Sequence, residues 1–185
     1  MRDEELKQAI REHAVLTGDF VLRSGQRAEY YIDKYRFATQ PVMLEQLGSR
    51  LAETVARVDP EAVRLAAPEI GAVPLAAAAS MSSRLPFLIV RKEAKEYGTA
   101  NRLEGVFAPG ERVCLLEDIV TTGGAAVEAV HALREAGLEC GAAVCIVDRE
   151  SGGVDALARV AVRLHPLFKL TDVVETRKSP QNPHG

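Results

Sequence analysis

The chain has 185 residues, 47% of them apolar and 26% charged, the make-up of one globular domain and not of a disordered or fibrous chain. Lysine and arginine number 23 against 26 acids, and a net charge of -3 with a pI near 5.9 speaks against nucleic acid as a partner. Three cysteines, Cys114, Cys140 and Cys145, are odd in number and form no C-x-x-C pair, so they read as reduced thiols, which points to the cytoplasm.

Residues 1–7 are charged and lack the apolar core of a signal peptide, and no apolar run approaches the roughly 18 residues of a membrane span. The expected protein is soluble, unexported and without a membrane partner. Asp3 caps a first helix in which Leu6, Ile10 and Ala14 recur on one face, Glu4 and Glu5 favour the positive end of the dipole, and Gly18 closes it. Residues 20–37 carry the turn signal Ser24-Gly25 and the strand-like cluster Tyr30-Tyr31-Ile32, which predicts a hairpin. Pro41 opens a second helix with Leu44, Leu47, Leu51 and Val55 in register, and Pro60 stops it.

From residue 63 the pattern becomes strand, helix, strand: 63–67, 72–82 and 87–90, then 113–116, 125–136 and 142–147. Two such units predict an α/β fold, a doubly wound parallel sheet with helices on both faces. Between them, residues 91–105 are polar and include Gly98 and Asn101, as expected of a mobile loop. Residues 176–185 hold two prolines and no apolar side chain and read as a flexible tail after one domain spanning 1–175. His13, His131, His165 and His184 are scattered, with no nucleophile signature beside them.

The chemistry concentrates in Val113-Cys114-Leu115-Leu116-Glu117-Asp118-Ile119-Val120-Thr121-Thr122-Gly123-Gly124-Ala125, a buried strand, two acids, then a hydroxyl and glycine turn entering a helix. Ligands of open α/β sheets bind beyond the carboxyl ends of strands, and a helix start offers free N–H groups to a phosphate. The glycines allow close backbone approach, and the threonines add hydroxyl donors. Acids beside an anion site repel it unless they face sugar hydroxyls or a hydrated divalent cation, so the run reads as a ribose-phosphate site. A lone Gly-Gly is an ordinary tight turn, but both usual nucleotide signatures, G-x-x-x-x-G-K-[ST] and G-x-G-x-x-G, are absent.

This run resembles the ribose-phosphate motif of the type I phosphoribosyltransferases: four apolar residues, two acids, two apolar residues, then Thr-Thr-Gly-Gly and a small residue. The match is complete. It implies that Glu117 and Asp118 contact the ribose hydroxyls of phosphoribosyl pyrophosphate (PRPP), that Thr121, Thr122, Gly123, Gly124 and Ala125 hold its 5-phosphate, and that Ile119 and Val120 belong to the same PRPP site. The loop Arg91-Lys92-Glu93-Ala94-Lys95-Glu96-Tyr97-Gly98 is similar to the lid of orotate phosphoribosyltransferases, although alone it could be a solvated loop with a Lys92–Glu96 pair. Its three cations suit a pyrophosphate leaving group. The stretches 20–25, 30–33 and Val147-Asp148-Arg149 extend the likeness over most of the chain.

The resemblance implies a reaction of orotate with PRPP that gives orotidine 5'-monophosphate and pyrophosphate, in pyrimidine (UMP) synthesis. Arg91, Lys92, Lys95 and Tyr97 would bind PRPP from the lid, with Lys95 the catalytic lid residue. Arg149, Thr121, Arg23 and Tyr31 would hold orotate, with Ile32 beside the base, an Arg suiting the planar pyrimidine carboxylate. Mg²⁺ would arrive bound through PRPP, with no metal ligand directly from protein. A hood from residues 1–40, lid closure over the site, and a homodimer with lid residues reaching the neighbouring site are also implied. Departures exist: Arg23 stands where many members carry Lys, Glu29 replaces a proline, Tyr97 replaces a common His, and Gly71 occupies the place of a PRPP-binding Lys of some members. At Gly71, in the small-residue loop 67–72, only backbone is expected to serve. The alternatives are a phosphoribosyltransferase for another base and a non-catalytic PRPP-sensing regulator; the acidic charge and the short chain argue against the latter.

Overall fold

The fold, taken from a computed structural model, is described for residues 2–21, 27–93 and 102–174. Arg23, the Ser24-Gly25 turn, Lys95, Tyr97, Gly98, Asn101, His184 and the expected tail lie outside the described residues.

Helix α1 (Asp3–Ala14) buries Leu6, Ile10 and Ala14, as their spacing predicts. It passes directly into strand β1 (Val15–Val21), which pairs antiparallel with β2 (Arg27–Ile32) as the expected hairpin. Gly18 therefore does not close the helix. It lies in β1 where the register slips by one residue between Thr17 and Phe20, a strand irregularity that a small residue eases. A short helix α2 (Tyr35–Ala38), too brief for any periodicity to announce it, buries Phe37 and leads to α3 (Pro41–Val58).

The main sheet is built from β3 (Arg64–Pro68), β4 (Phe87–Val90), β5 (Leu103–Glu104), β6 (Arg112–Val120), β7 (Glu139–Asp148) and β8 (Arg163–Lys169), in the spatial order β5-β4-β3-β6-β7-β8. The expected doubly wound sheet is present, with one correction: β5 pairs antiparallel with β4, so the sheet is mixed at that edge. Residues 103–104, read from sequence as loop, thus belong to the sheet, and the Arg91 N–H donates to the Arg102 carbonyl at 2.8 Å beside them. The crossover helices are α4 (Ala72–Ser83), α5 (Gly124–Glu135) and α6 (Gly153–Arg159), with a last turn α7 (Leu170–Val173) after β8. The third unit, α6 with β8, is not among the predicted units: its helix has only seven residues, too few for a helical period to stand out from the apolar run around it.

Alternate strand residues feed two cores. Leu65, Ala67, Cys114 and Leu116 pack with α1, α3 and α4, while Ala66, Val113, Leu115 and Ala143 pack with α5 and α6. Each fully buried Leu contributes about 1.5–3 kcal/mol relative to exposure, so the two-faced central strands fix the register strongly. The chain runs from β3 outward to β4 on one side and from β6 outward to β7 on the other. The switch point lies between the carboxyl ends of β3 and β6, where open α/β sheets bind ligands.

Candidate active site

A cleft of about 1160 Å³ opens at this switch point. Strand β6 runs longer than the sequence pattern indicates: parallel pairing with β7 continues through Val120↔Asp148, which puts Glu117 and Asp118 inside the strand and buries both. Burial pushes the Glu117 carboxyl up to about 8, with repulsion from Asp118 adding to it and the nearby Lys34 ammonium opposing it. Asp118 accepts the Ile119 N–H on one oxygen and a 2.7 Å ion pair from Lys34 on the other.

Beyond the strand, Thr121 and Thr122 are exposed, and Gly123 takes φ +81° as the residue before α5. That left-handed geometry turns the chain so that the first amides of α5 face the cleft, which Gly124, Ala125 and Ala126 line. No side chain caps this helix start, leaving its N–H groups and positive dipole end to an anion. The loop rests on the first turn of α6: a Cβ on Gly153 would run into Val120 and lie 3.0 Å from the Thr121 carbonyl. Gly153 is a supporting residue that sequence reasoning missed, because its partner is distant along the chain.

Opposite this loop, residues Pro68, Glu69, Ile70, Gly71 and Ala72 form the other wall. Glu69 turns aside and accepts the Lys92 N–H at 2.8 Å, tying this wall to the end of β4. The expectation that Gly71 offers backbone alone needs amendment: the Lys34 ammonium occupies the space beside it, and a Cβ at Gly71 would collide with Asp118 and crowd Lys34. Lys34 was not singled out from sequence, since nothing local distinguishes it from any lysine before a short helix. Burial pulls its pKa down, but the hydrogen bond and charge of Asp118 outweigh this and hold it above the ordinary lysine value.

Of the described lid cations, Lys92 lines the cleft, whereas Arg91 turns to Glu104 at 3.5 Å and does not. At the other end, Arg149 follows β7, donates its backbone N–H to the Val120 carbonyl at 2.8 Å, and sits 5.8 Å from the Tyr30 ring centre. The salt bridge with a sequence neighbour, the ordinary alternative for this arginine, is not what holds it. Asp148 accepts the Glu150 N–H and Glu150 accepts the Thr171 N–H. The Arg149 Nε is buried with no hydrogen-bond partner among the described residues. Tyr31 lines the cleft at 43% exposure, its ring 5.8 Å from that of Phe20, making an aromatic wall of the cleft that Arg149 also lines. Ile32 is instead buried in the core. Thus Lys92, Glu117, Asp118, Ile119, Val120, Thr121, Thr122, Gly123, Gly124, Ala125, Tyr31 and Arg149 converge on one cleft, and Arg91, paired with Glu104, is not among its lining residues.

A phosphate-ready helix start, a buried acid pair and a small-residue loop at the switch point of a mostly parallel sheet define a type I phosphoribosyltransferase fold and site. No family model matches the chain. It is 45% identical over 174 residues to the orotate phosphoribosyltransferase of Methanocella arvoryzae, covering 93% of this chain and 97% of that one. The Mycobacterium tuberculosis orotate phosphoribosyltransferase in complex with Fe(III) dicitrate matches with a TM-score of 0.83 and 30% identity, over 94% of this chain and 99% of that one. Its complex with PRPP matches with a TM-score of 0.78 and 29% identity, over 92% and 98%. The chain belongs to the orotate phosphoribosyltransferase family.

Proposed function

We propose that this protein transfers the phosphoribosyl group of PRPP to orotate, giving orotidine 5'-monophosphate and pyrophosphate in pyrimidine (UMP) synthesis. Beside the family relationship, one observation carries the reading: the open first turn of α5 and the buried acids Glu117 and Asp118 line the same cleft, the first suited to a phosphate and the second to ribose hydroxyls. A relative in complex with PRPP agrees with it.

In this reading Thr121 to Ala125 hold the 5-phosphate, Glu117 and Asp118 orient the ribose, and Ile119 with Val120 close the strand end beneath it. Orotate lies between Tyr31 and Arg149, within reach of Thr121, and Arg23 joins the base site. Its carboxylate meets the guanidinium, whose buried Nε has no hydrogen-bond partner among the described residues. The bond from the anomeric carbon to the pyrophosphate oxygen breaks with the electron pair staying on oxygen, a new bond forms to a ring nitrogen of orotate, and the proton of that nitrogen passes to the departing pyrophosphate or to water. Arg91, Lys92, Lys95 and Tyr97 answer the charge of the leaving pyrophosphate, Lys95 foremost, and the lid excludes water from the cation-like sugar.

Of the carboxylates lining the cleft, Glu117 is buried and held toward its neutral form, Asp118 is engaged by Lys34 and Glu69 by the Lys92 backbone. That donor set fits Mg²⁺ brought by PRPP and not ligated directly by protein. Bound so, the ion would neutralise charge on the leaving group. The enzyme is read as a cytoplasmic homodimer whose lid residues reach the neighbouring site.

The test is loss of orotate absorbance on mixing protein with PRPP and Mg²⁺, with uracil, hypoxanthine and adenine followed by product chromatography. Turnover of orotate alone is expected. Turnover of another base would refute the base site, and PRPP binding without turnover would refute the enzyme reading.

A further inference from the structure

Among the described residues, the cations lining the cleft are Lys34, Lys92 and Arg149. Arg149 packs against the Tyr30 ring and Lys92 is tied to Glu69 through its backbone, while the Lys34 ammonium stands beside Gly71 in the wall formed by residues 68–72. This lysine comes from a distant part of the chain and is held firmly at its backbone. The Asp33 N–H donates to the Ala14 carbonyl at 2.9 Å, and the Lys34 carbonyl accepts the Ala38 N–H at 3.0 Å. Its side chain is 35% exposed while that of its partner Asp118 is 6% exposed, so the ammonium sits at the boundary between buried acid and open cleft. Gly71 makes the room: any side chain there would claim the space that the ammonium fills.

A diphosphate entering beside the Asp118 carboxylate meets like charge, and a cation able to change partners between carboxylate and phosphate relieves it. Ribose hydroxyls can take over the Asp118 oxygen that Lys34 now holds, which frees the ammonium without leaving a buried carboxylate unpaired. We propose that Lys34 is a substrate-contacting residue: it holds Asp118 in the unliganded cleft and turns to the diphosphate of PRPP when the sugar binds. This rests on the PRPP reading above and adds to it the cation that serves the 68–72 wall.

The test compares wild type, Lys34→Met and Lys34→Arg. Binding of PRPP and of ribose 5-phosphate, which carries the sugar and its phosphate but no diphosphate, is measured by calorimetry with Mg²⁺, alongside KM for PRPP and for orotate. Lys34→Met is expected to weaken PRPP binding and raise the KM for PRPP by about tenfold or more, leaving the affinity for ribose 5-phosphate and the KM for orotate within about twofold. Lys34→Arg should keep most of the affinity. Unchanged PRPP affinity in Lys34→Met overturns the proposal, as does an equal loss for ribose 5-phosphate, since Lys34 would then act only as a counter-ion to Asp118. Should Lys34→Met unfold, Lys34→Gln takes its place, with the same loss expected and an unchanged affinity again decisive against. Wild type that neither binds PRPP nor consumes orotate overturns the underlying functional reading instead.

Discussion

Replacing Glu117 by Gln removes an ionisation that the folded protein resists. In the fold this carboxyl is buried beside Asp118 and its pKa rises from 4.5 to about 8. Glu117 therefore binds its proton more tightly when folded than when unfolded. Between pH 4.5 and about 8 the folded chain carries the extra proton, and the stability this group supplies falls as pH rises. At about 1.4 kcal/mol per unit, the whole window is worth about 5 kcal/mol. Relaxation and solvent at the cleft mouth bring the expected effect to between about 2 and 5 kcal/mol, a large share of an ordinary folding stability. Gln keeps the shape and cannot ionise, so Glu117→Gln should match wild type near pH 4.5 and exceed it by that amount near pH 8. Urea unfolding of both proteins without ligand, at pH 5, 6, 7 and 8, reads this directly, because every other titrating group is common to both. Parallel stability curves, or a variant weaker than wild type at pH 8, would refute the reasoning. The variant should also lose PRPP affinity, stability gained at the expense of the site.

Three further outcomes are expected. Gly153→Val drives a side chain into Val120 and the Thr121 carbonyl, so PRPP binding should weaken by about tenfold and stability fall by about 1–3 kcal/mol; thermal melts and PRPP titrations unchanged from wild type would show that α6 does not support the loop. Arg149→Ala should raise the KM for orotate by about tenfold to a hundredfold with little change for PRPP, as removal of a charged hydrogen-bond donor does, and a rise confined to PRPP would move Arg149 out of the base site. Lys95→Ala should lose most turnover in a steady-state assay while keeping its circular dichroism melt, and near wild-type rates would defeat the catalytic assignment.

What was legible in the sequence was local. The spacing of Leu6, Ile10 and Ala14 and of Leu47, Leu51 and Val55 gave two amphipathic helices, because burial on one side of a helix imposes its period on the residues. The apolar run into Glu117-Asp118 and the Thr-Thr-Gly-Gly turn were readable for the same reason: strand, acid pair and helix start are consecutive, and a backbone that must approach a phosphate leaves its mark in adjacent glycines. The third strand-helix unit and the two-residue edge strand β5 left no such mark, since their pairing energy comes from neighbours far along the chain. The same holds inside the cleft. Nothing around residue 34 says that its ammonium will stand over Gly71 and bind Asp118, or around residue 153 that its missing side chain lets the loop 121–125 settle on α6. Sequence by itself determined where two acids, two threonines and two glycines stand together at a strand end and a helix start. The tertiary structure alone decided which cations face them, because charges separated by dozens of residues meet only when the sheet has set its strand order.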